Sequence, residues 1–377
     1  MASEAPLAGL KVVELARILA GPWAGQVLAD LGAEVIKVEA PEGDDTRRWG
    51  PPFIEREGDR AAAYFHATNR SKASVIADFT TPEGQQTVRD LVADADVVIE
   101  NFKLGGLRKY GLDYESLSAL NPRLVYCSIT GFGQEGPYAE RAGYDFLIQG
   151  MAGWMDLTGD PAGEPQKVGV AFADIFTGLY AVIGIQAALA ARARTGRGQL
   201  VDMALLDCAV GVLANQGMNY LATGRAPHRL GNAHPNIAPY EVLPVADGSI
   251  ILAVGNDGQF RRFCGVVGLE ALGADPRFAT NEARVANRAE LRPQIVAALA
   301  RFSKAEILSA LEAATVPAGP INAVDEVFAD PQVIARGMRI EAAAEQGAIP
   351  GIRLPIKFSE SPLAPARPAP KLGQGRD

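Results

Sequence analysis

LKVVELARILAGPWAGQVLADLGAEVIKV (residues 10–38) reads in three pieces. Leu10–Leu15 is a short apolar run suited to a buried strand. A Gly-Pro turn follows, Trp23–Leu31 has helical spacing, and Val35–Val38 reads as a second strand. Together they form a β-α-β unit, the opening of a doubly wound sheet. No GxGxxG accompanies it, so a dinucleotide site is not supported. The LAGP turn (19–22) is nevertheless a tight strand-to-helix turn whose backbone N–H groups can meet a phosphate or carboxylate, and Pro22 suits the first turn of a helix.

Outward from this unit the alternation continues. The pattern predicts a helix over Pro82–Asp94, a strand over Val97–Glu100 and another over Leu124–Ile129, which runs into the GFGQEGP loop (131–137). Asn101 and Phe102 fall at a strand end, on the side where open α/β sheets bind ligands. Two long apolar helices are expected over 174–193 and 203–222. Composition then changes near Gly224, and Pro227, Pro235 and Pro239 interrupt the chain. Val242–Val254 reads as a hairpin around Asp247-Gly248, and charged amphipathic helices fill 258–313. Pro317 and Pro320 mark a second linker, before strand-like segments at Met338–Ala342 and Ile352–Pro355. The expected fold is therefore α/β: a Rossmann-like large domain from 1–223, a smaller inserted α+β domain over 224–316, and a return to the large domain over 317–377.

The chain has 377 residues, 48% of them apolar, enough for two domains with sizeable cores. Its net charge of −8 argues against a nucleic-acid partner, which needs a basic face. Cys127, Cys208 and Cys264 match no zinc spacing and, being odd in number, no disulfide framework. No metal is expected. The start, MASEAPLAGLKVVEL, lacks the basic-then-apolar order of a signal or transit peptide. The longest apolar stretch, Leu179–Ala191, is short of a membrane span. A soluble, cytoplasmic protein with no membrane partner is expected.

One acidic residue stands out. In VGVAFADIFTGLYA (168–181) Asp174 lies among small and apolar residues, ahead of an apolar helix. Burying a carboxylate there is costly unless it is paired or used. Two readings fit: an N-terminal helix cap, or a nucleophile held dry and aimed.

The order and spacing of several motifs decide between them. The chain resembles the family III CoA-transferases, the group that includes formyl-CoA transferase, carnitine CoA-transferase and the α-methylacyl-CoA racemases. The motifs are LAGP (19–22), LGAEVIKVE (31–39), GDDTRRWGPPF (43–53), NRSKASVIADFTTPEG (69–84), ADVVIENF (95–102), YCSITGFGQEGPYAERAGYD (126–145), the ADIFTG segment, TGRGQLVDMALLD (195–207) and VPAGPIN (316–322). The resemblance implies that Asp174 is the nucleophile. Coenzyme A would be a substrate, not a resident cofactor, with an acyl-CoA donor and a free acid as reactants. The racemases carry a His where this chain has Tyr144, and tyrosine is a poor proton shuttle at neutral pH. Transferase is therefore preferred over the alternative, a 2-methylacyl-CoA racemase, and over a non-catalytic acyl-CoA-binding protein, which would need no dry carboxylate. GDDTRRWGPPF, RAGYD and GNAHPNIAPYE (231–241) are similar to the dicarboxylate group, typified by succinate–hydroxymethylglutarate CoA-transferase.

The resemblance also implies CoA contacts at Leu19 and Ala20, at Ala77, Asp78 and Thr80, at Asn101, Phe102, Lys103 and Lys109, and at Ala142, Gly143, Tyr144 and Asp145. Ala40 replaces a basic residue of formyl-CoA transferase. Lys37, Arg47, Arg48, Arg70, Lys72 and Lys103 are then the candidate phosphate ligands. Arg229 and His234 are candidates for a remote substrate carboxylate. An interlocked homodimer is implied as well. The family's LGQH-like motif reads LGQG (372–375), so its closing helix is expected to be missing or replaced.

Overall fold

Val12, Val13 and Leu15 are almost wholly buried, as only a strand covered on both faces requires. A computed structural model describes residues 4–56, 58–345 and 347–375. Its central sheet has six strands: β1 (Lys11–Glu14), β2 (Glu34–Glu39), β3 (Ala73–Ile76), β4 (Val97–Glu100), β5 (Val125–Thr130) and β6 (Leu200–Ala204). Their order is β3-β2-β1-β4-β5-β6, and every pairing is parallel. This is the Rossmann order, with its switch point between β1 and β4.

Four helices place the site. α1 (Ala20–Asp30) follows β1 and has no side-chain cap at its N-terminus. α2 (Pro82–Val92) starts where Thr81 accepts the Gly84 N–H and Pro82 fills the first turn. α3 (Asp145–Met151) is short. α4 (Phe172–Thr195) ends at Gly196, whose φ of 74° suits only a residue without Cβ, with Arg192 and Arg194 in the last turn. Gly178 lets α4 press onto α1: a Cβ there would lie 2.7 Å from the Ala20 carbonyl oxygen. At 24 residues, α4 exceeds the apolar stretch read from the sequence and is long and apolar enough to cross a membrane by length and composition. Its Ala173, Thr177, Gly178, Ala181, Val182, Ile185 and Ala188 face is buried, several of these side chains in one core with α1 and β4–β5.

The helix expected over 203–222 is corrected. Leu200–Ala204 pairs with Tyr126–Thr130 to complete the sheet edge, and two short helices follow, Leu205–Gly211 and Ala214–Thr223. Ala214, at φ 46°, marks the break between them.

The chain divides into two compact units. The larger holds residues 1–154, 167–225 and 331–377; the smaller holds 155–166 and 226–330. The smaller unit's bounds differ from those expected. Ala318–Gly319 pairs with Ile251–Leu252, drawing the chain past residue 316 into this unit. Arg229 holds the 155–166 segment there through the Asp156 carboxylate and the Asp160 and Gly163 carbonyls. The hairpin of Tyr240–Val245 and Gly248–Ala253 packs with helices between Asp257 and Ala313 around Phe260, Phe263, Phe278, Leu291 and Ile295.

The returning segment closes the larger unit. Residues 367–374 run beside β3. Ser71 N–H donates to the Arg367 carbonyl, Ser74 N–H to the Gln374 carbonyl, and Gly373 N–H to the Ser74 hydroxyl.

Candidate active site

The switch point sets the position of the crevice. After β1, Leu15 and Ala16 still donate to the Ile99 carbonyl of β4. The chain then turns, and the Asn101 side chain clamps Arg17 from both sides. It accepts the Arg17 N–H at 2.8 Å and donates to the Arg17 carbonyl at 2.7 Å. The uncapped start of α1 follows. A cavity of about 470 Å³ opens here, lined by Arg17–Ala20, Asn101–Leu104, Lys109, Thr130–Gly131, Arg141–Tyr144 and Asp174. Gly131 and Gly143 cross backbone to backbone beside it, and a Cβ on either would come within 2.6 Å of the other's Cα.

Asp174 is the third residue of α4. The capping role belongs instead to Asp145, whose carboxylate accepts the Ala173 N–H at 2.9 Å and the Gln149 amide at 2.7 Å. Asp174 has no ion pair among the described residues. Burial, and then the charge of Asp145, push its carboxyl up to about 7. Burial also pushes the Tyr64 hydroxyl up to about 12, with Asp174, Asp145 and Asp44 adding to it. Tyr64 thus stays protonated within the field of Asp174. Nothing in AYFHATN (63–69) separates it from an ordinary core aromatic.

Several expected contacts do line this cavity: Leu19, Ala20, Asn101, Phe102, Lys103, Lys109, Ala142, Gly143 and Tyr144. Others are corrected. Lys37 is fully buried between Glu14 at 3.1 Å and Asp44 at 2.9 Å. Lys72 is buried against Glu14 at 2.8 Å, Arg47 against Glu39 at 2.7 Å, and Arg70 against Asp30. Each is paired with a buried carboxylate, and none of the four lines this cavity. Arg48 is exposed and bonded to Asp45 and the Glu42 carbonyl, outside the cavity lining. Ala77 is buried, and Asp78 closes a local turn onto Thr80. Their neighbour Phe79 is the lining residue, edge-on to Phe102 at 5.8 Å and Tyr110 at 6.3 Å. Arg229 is occupied as described above. The His234 Nδ1 accepts the Asn236 N–H, and its ring tilts against Tyr240.

Two lining cations were not anticipated. Arg17 lies over the Phe102 ring at 5.4 Å, and Arg141 over Tyr138 at 3.9 Å. With Lys103 and Lys109 they give this cavity four positive groups on a chain of net charge −8.

The chain belongs to CoA-transferase family III, whose sequence profile matches residues 7–376, and it is an enzyme of that class. It is 63% identical over 373 residues to the succinate–glutarate CoA-transferase of Agrobacterium fabrum, covering 98% of this chain and 93% of that one. It is 40% identical to the human succinyl-CoA:glutarate CoA-transferase, over 98% of this chain and 84% of that protein. A crystal structure of a CaiB/BaiF family protein from Brucella suis matches with a TM-score of 0.88 and 65% identity, over 98% of this chain and 97% of that one. The racemase alternative is not supported, since these curated relatives are transferases and position 144 is tyrosine.

Proposed function

We propose that this enzyme moves CoA between dicarboxylic acids of the succinate and glutarate type, with Asp174 as nucleophile. The observation that carries the proposal is the position of Asp174: unpaired, poorly solvated and lining the cavity at the switch point. The named activities of the relatives support the dicarboxylate class.

An Asp174 oxygen attacks the donor's thioester carbonyl. The C–S bond breaks and the thiolate leaves with the electron pair, giving a mixed anhydride. The thiolate then attacks the Asp174 carbonyl and displaces the donor carboxylate, leaving an Asp174–CoA thioester. The acceptor carboxylate attacks that thioester and expels the thiolate. Finally the thiolate attacks the acceptor's carbonyl, which frees acceptor-CoA and the Asp174 carboxylate. No proton is consumed overall.

In this reading Arg17, Lys103, Lys109 and Arg141, which line the cavity, hold the phosphates, and the first-turn N–H groups of α1, which no side chain caps, stabilise the oxyanion. CoA enters and leaves as substrate in this scheme, with no resident cofactor. The three thiols are free and buried, which fits a reducing cytoplasm; transfer activity confined to a periplasmic fraction would overturn that location.

Incubation with succinyl-CoA alone should leave a CoA adduct on the peptide containing Asp174, and Asp174→Ala should abolish both adduct and transfer. An adduct on another residue removes the mechanism. Equal rates with butyrate and glutarate as acceptors remove the dicarboxylate assignment.

A further inference from the structure

Ile18 lines the cavity with a φ of 72°. For a β-branched side chain this left-handed conformation is a genuine outlier, which persists only where the surroundings hold it. The two sides of the turn are both held. Upstream, the Asn101 amide clamps Arg17. At Ile18 itself, the N–H donates to the Asp44 carboxylate, at 3.2 Å to Oδ2 and 3.4 Å to Oδ1.

Asp44 is itself rigidly placed. It is 1% exposed. Its Oδ1 accepts the Thr46 N–H at 2.9 Å and hydroxyl at 2.8 Å, and its Oδ2 meets the Lys37 ammonium at 2.9 Å. Its own N–H donates to Glu39. Burial raises its pKa, but Lys37 and Thr46 outweigh that and leave it lowered, so it is ionised at neutral pH.

We propose that Asp44 is a positioning residue: its carboxylate, with Asn101 opposite, holds Ile18 in the left-handed turn that sets Arg17 and Leu19 in the cavity for CoA. This rests on the reading of the cavity as the CoA site. It also gives the buried Lys37 a role that its sequence position conceals, since Lys37 orients the carboxylate that orients the turn.

The test is a double-mutant cycle read by calorimetric titration with free CoA and by KM for succinyl-CoA. Asp44→Asn keeps the shape but removes the charge and replaces one acceptor with an NH2 donor: with the oxygen kept on Thr46, that donor faces the Lys37 ammonium and the Ile18 N–H. It should weaken CoA about tenfold and raise KM to match, with kcat within about twofold. Ile18→Gly supplies a residue that adopts φ > 0 unaided. In the Ile18→Gly background, Asp44→Asn should therefore cost less than about twofold. If Asp44→Asn is recovered unfolded, the cycle is run with Asn101→Ala, which removes the opposing clamp and should be rescued in the same way. Equal losses in both backgrounds, or a folded Asp44→Asn that binds CoA like the wild type, overturn the proposal while the site stands. A wild type that does not bind CoA overturns both.

Discussion

Burial and the neighbouring Asp145 hold the Asp174 carboxyl at about 7, far above an unfolded aspartate. Its ionisation is therefore disfavoured in the folded chain. The penalty is absent below about pH 4, grows as pH rises and is complete above about pH 7. Asp174→Asn should then raise stability at pH 8 by roughly 1–4 kcal/mol, and by nothing at pH 4. Melting curves at the two pH values check this; a gain equal at both would mean that the carboxyl is not perturbed. At this scale the sequence was partly legible. Asp174 was readable because nothing polar flanks it and its motif is ordered among others. Lys37 and Lys72 were misread, because residue type announces a cation but not the carboxylates that β1 and the turn at Asp44 bring to it. Arg17 and Arg141 were missed for the converse reason, since a cation beside a turn looks like any solvated charge.

Gly178 governs the approach of α4 to α1, and through it the distance between Asp174 and the turn at Leu19-Ala20. Gly178→Ala would drive a Cβ toward the Ala20 carbonyl and within 3.2 Å of Trp23. Overpacking of this kind costs about 1–3 kcal/mol, and kcat should fall on the order of tenfold as the nucleophile is displaced. Gly265→Ala is the control: nothing lies within 4 Å of its Cβ position, so a gain of about 0.5–1 kcal/mol is expected. Urea midpoints and transfer rates for the two variants test the contrast; a Gly178→Ala enzyme as stable and active as wild type would show that the helices do not need that contact. Elements with one dominant pattern were legible: β1, α1, β2 and the hairpin at Asp247-Gly248 appeared within a few residues of expectation. The 203–222 stretch was not. Most of it is helical, but pairing with β5 claims Met203 and Ala204 for the strand, and the left-handed Ala214 divides the rest into two helices, neither of which the apolar pattern announces.

Over the whole molecule, the doubly wound sheet followed from alternating strands and helices, whereas the extent of the smaller unit did not. Residues 155–166 join it through the Arg229 contacts, which no local pattern announces. One chain also leaves large apolar side chains in the open: Tyr144 is 66% exposed, Ile183 60% and Phe146 58%. Such side chains mark a partner surface where they form one contiguous patch. We expect a homodimer of twice the 39.8 kDa chain mass by light scattering, persisting on dilution to nanomolar concentration if the chains interlock. A monomer at micromolar concentration would refute it. The segment beside β3 has a different consequence. Residues 71–76 leave the ribosome long before residues 367–374, which bond to them. At about 5–20 residues per second, the interval of 291 residues (76 to 367) lasts roughly 15–60 s. For that time the nascent chain carries an open strand edge, so its synthesis is the stage at which this sheet most needs a chaperone.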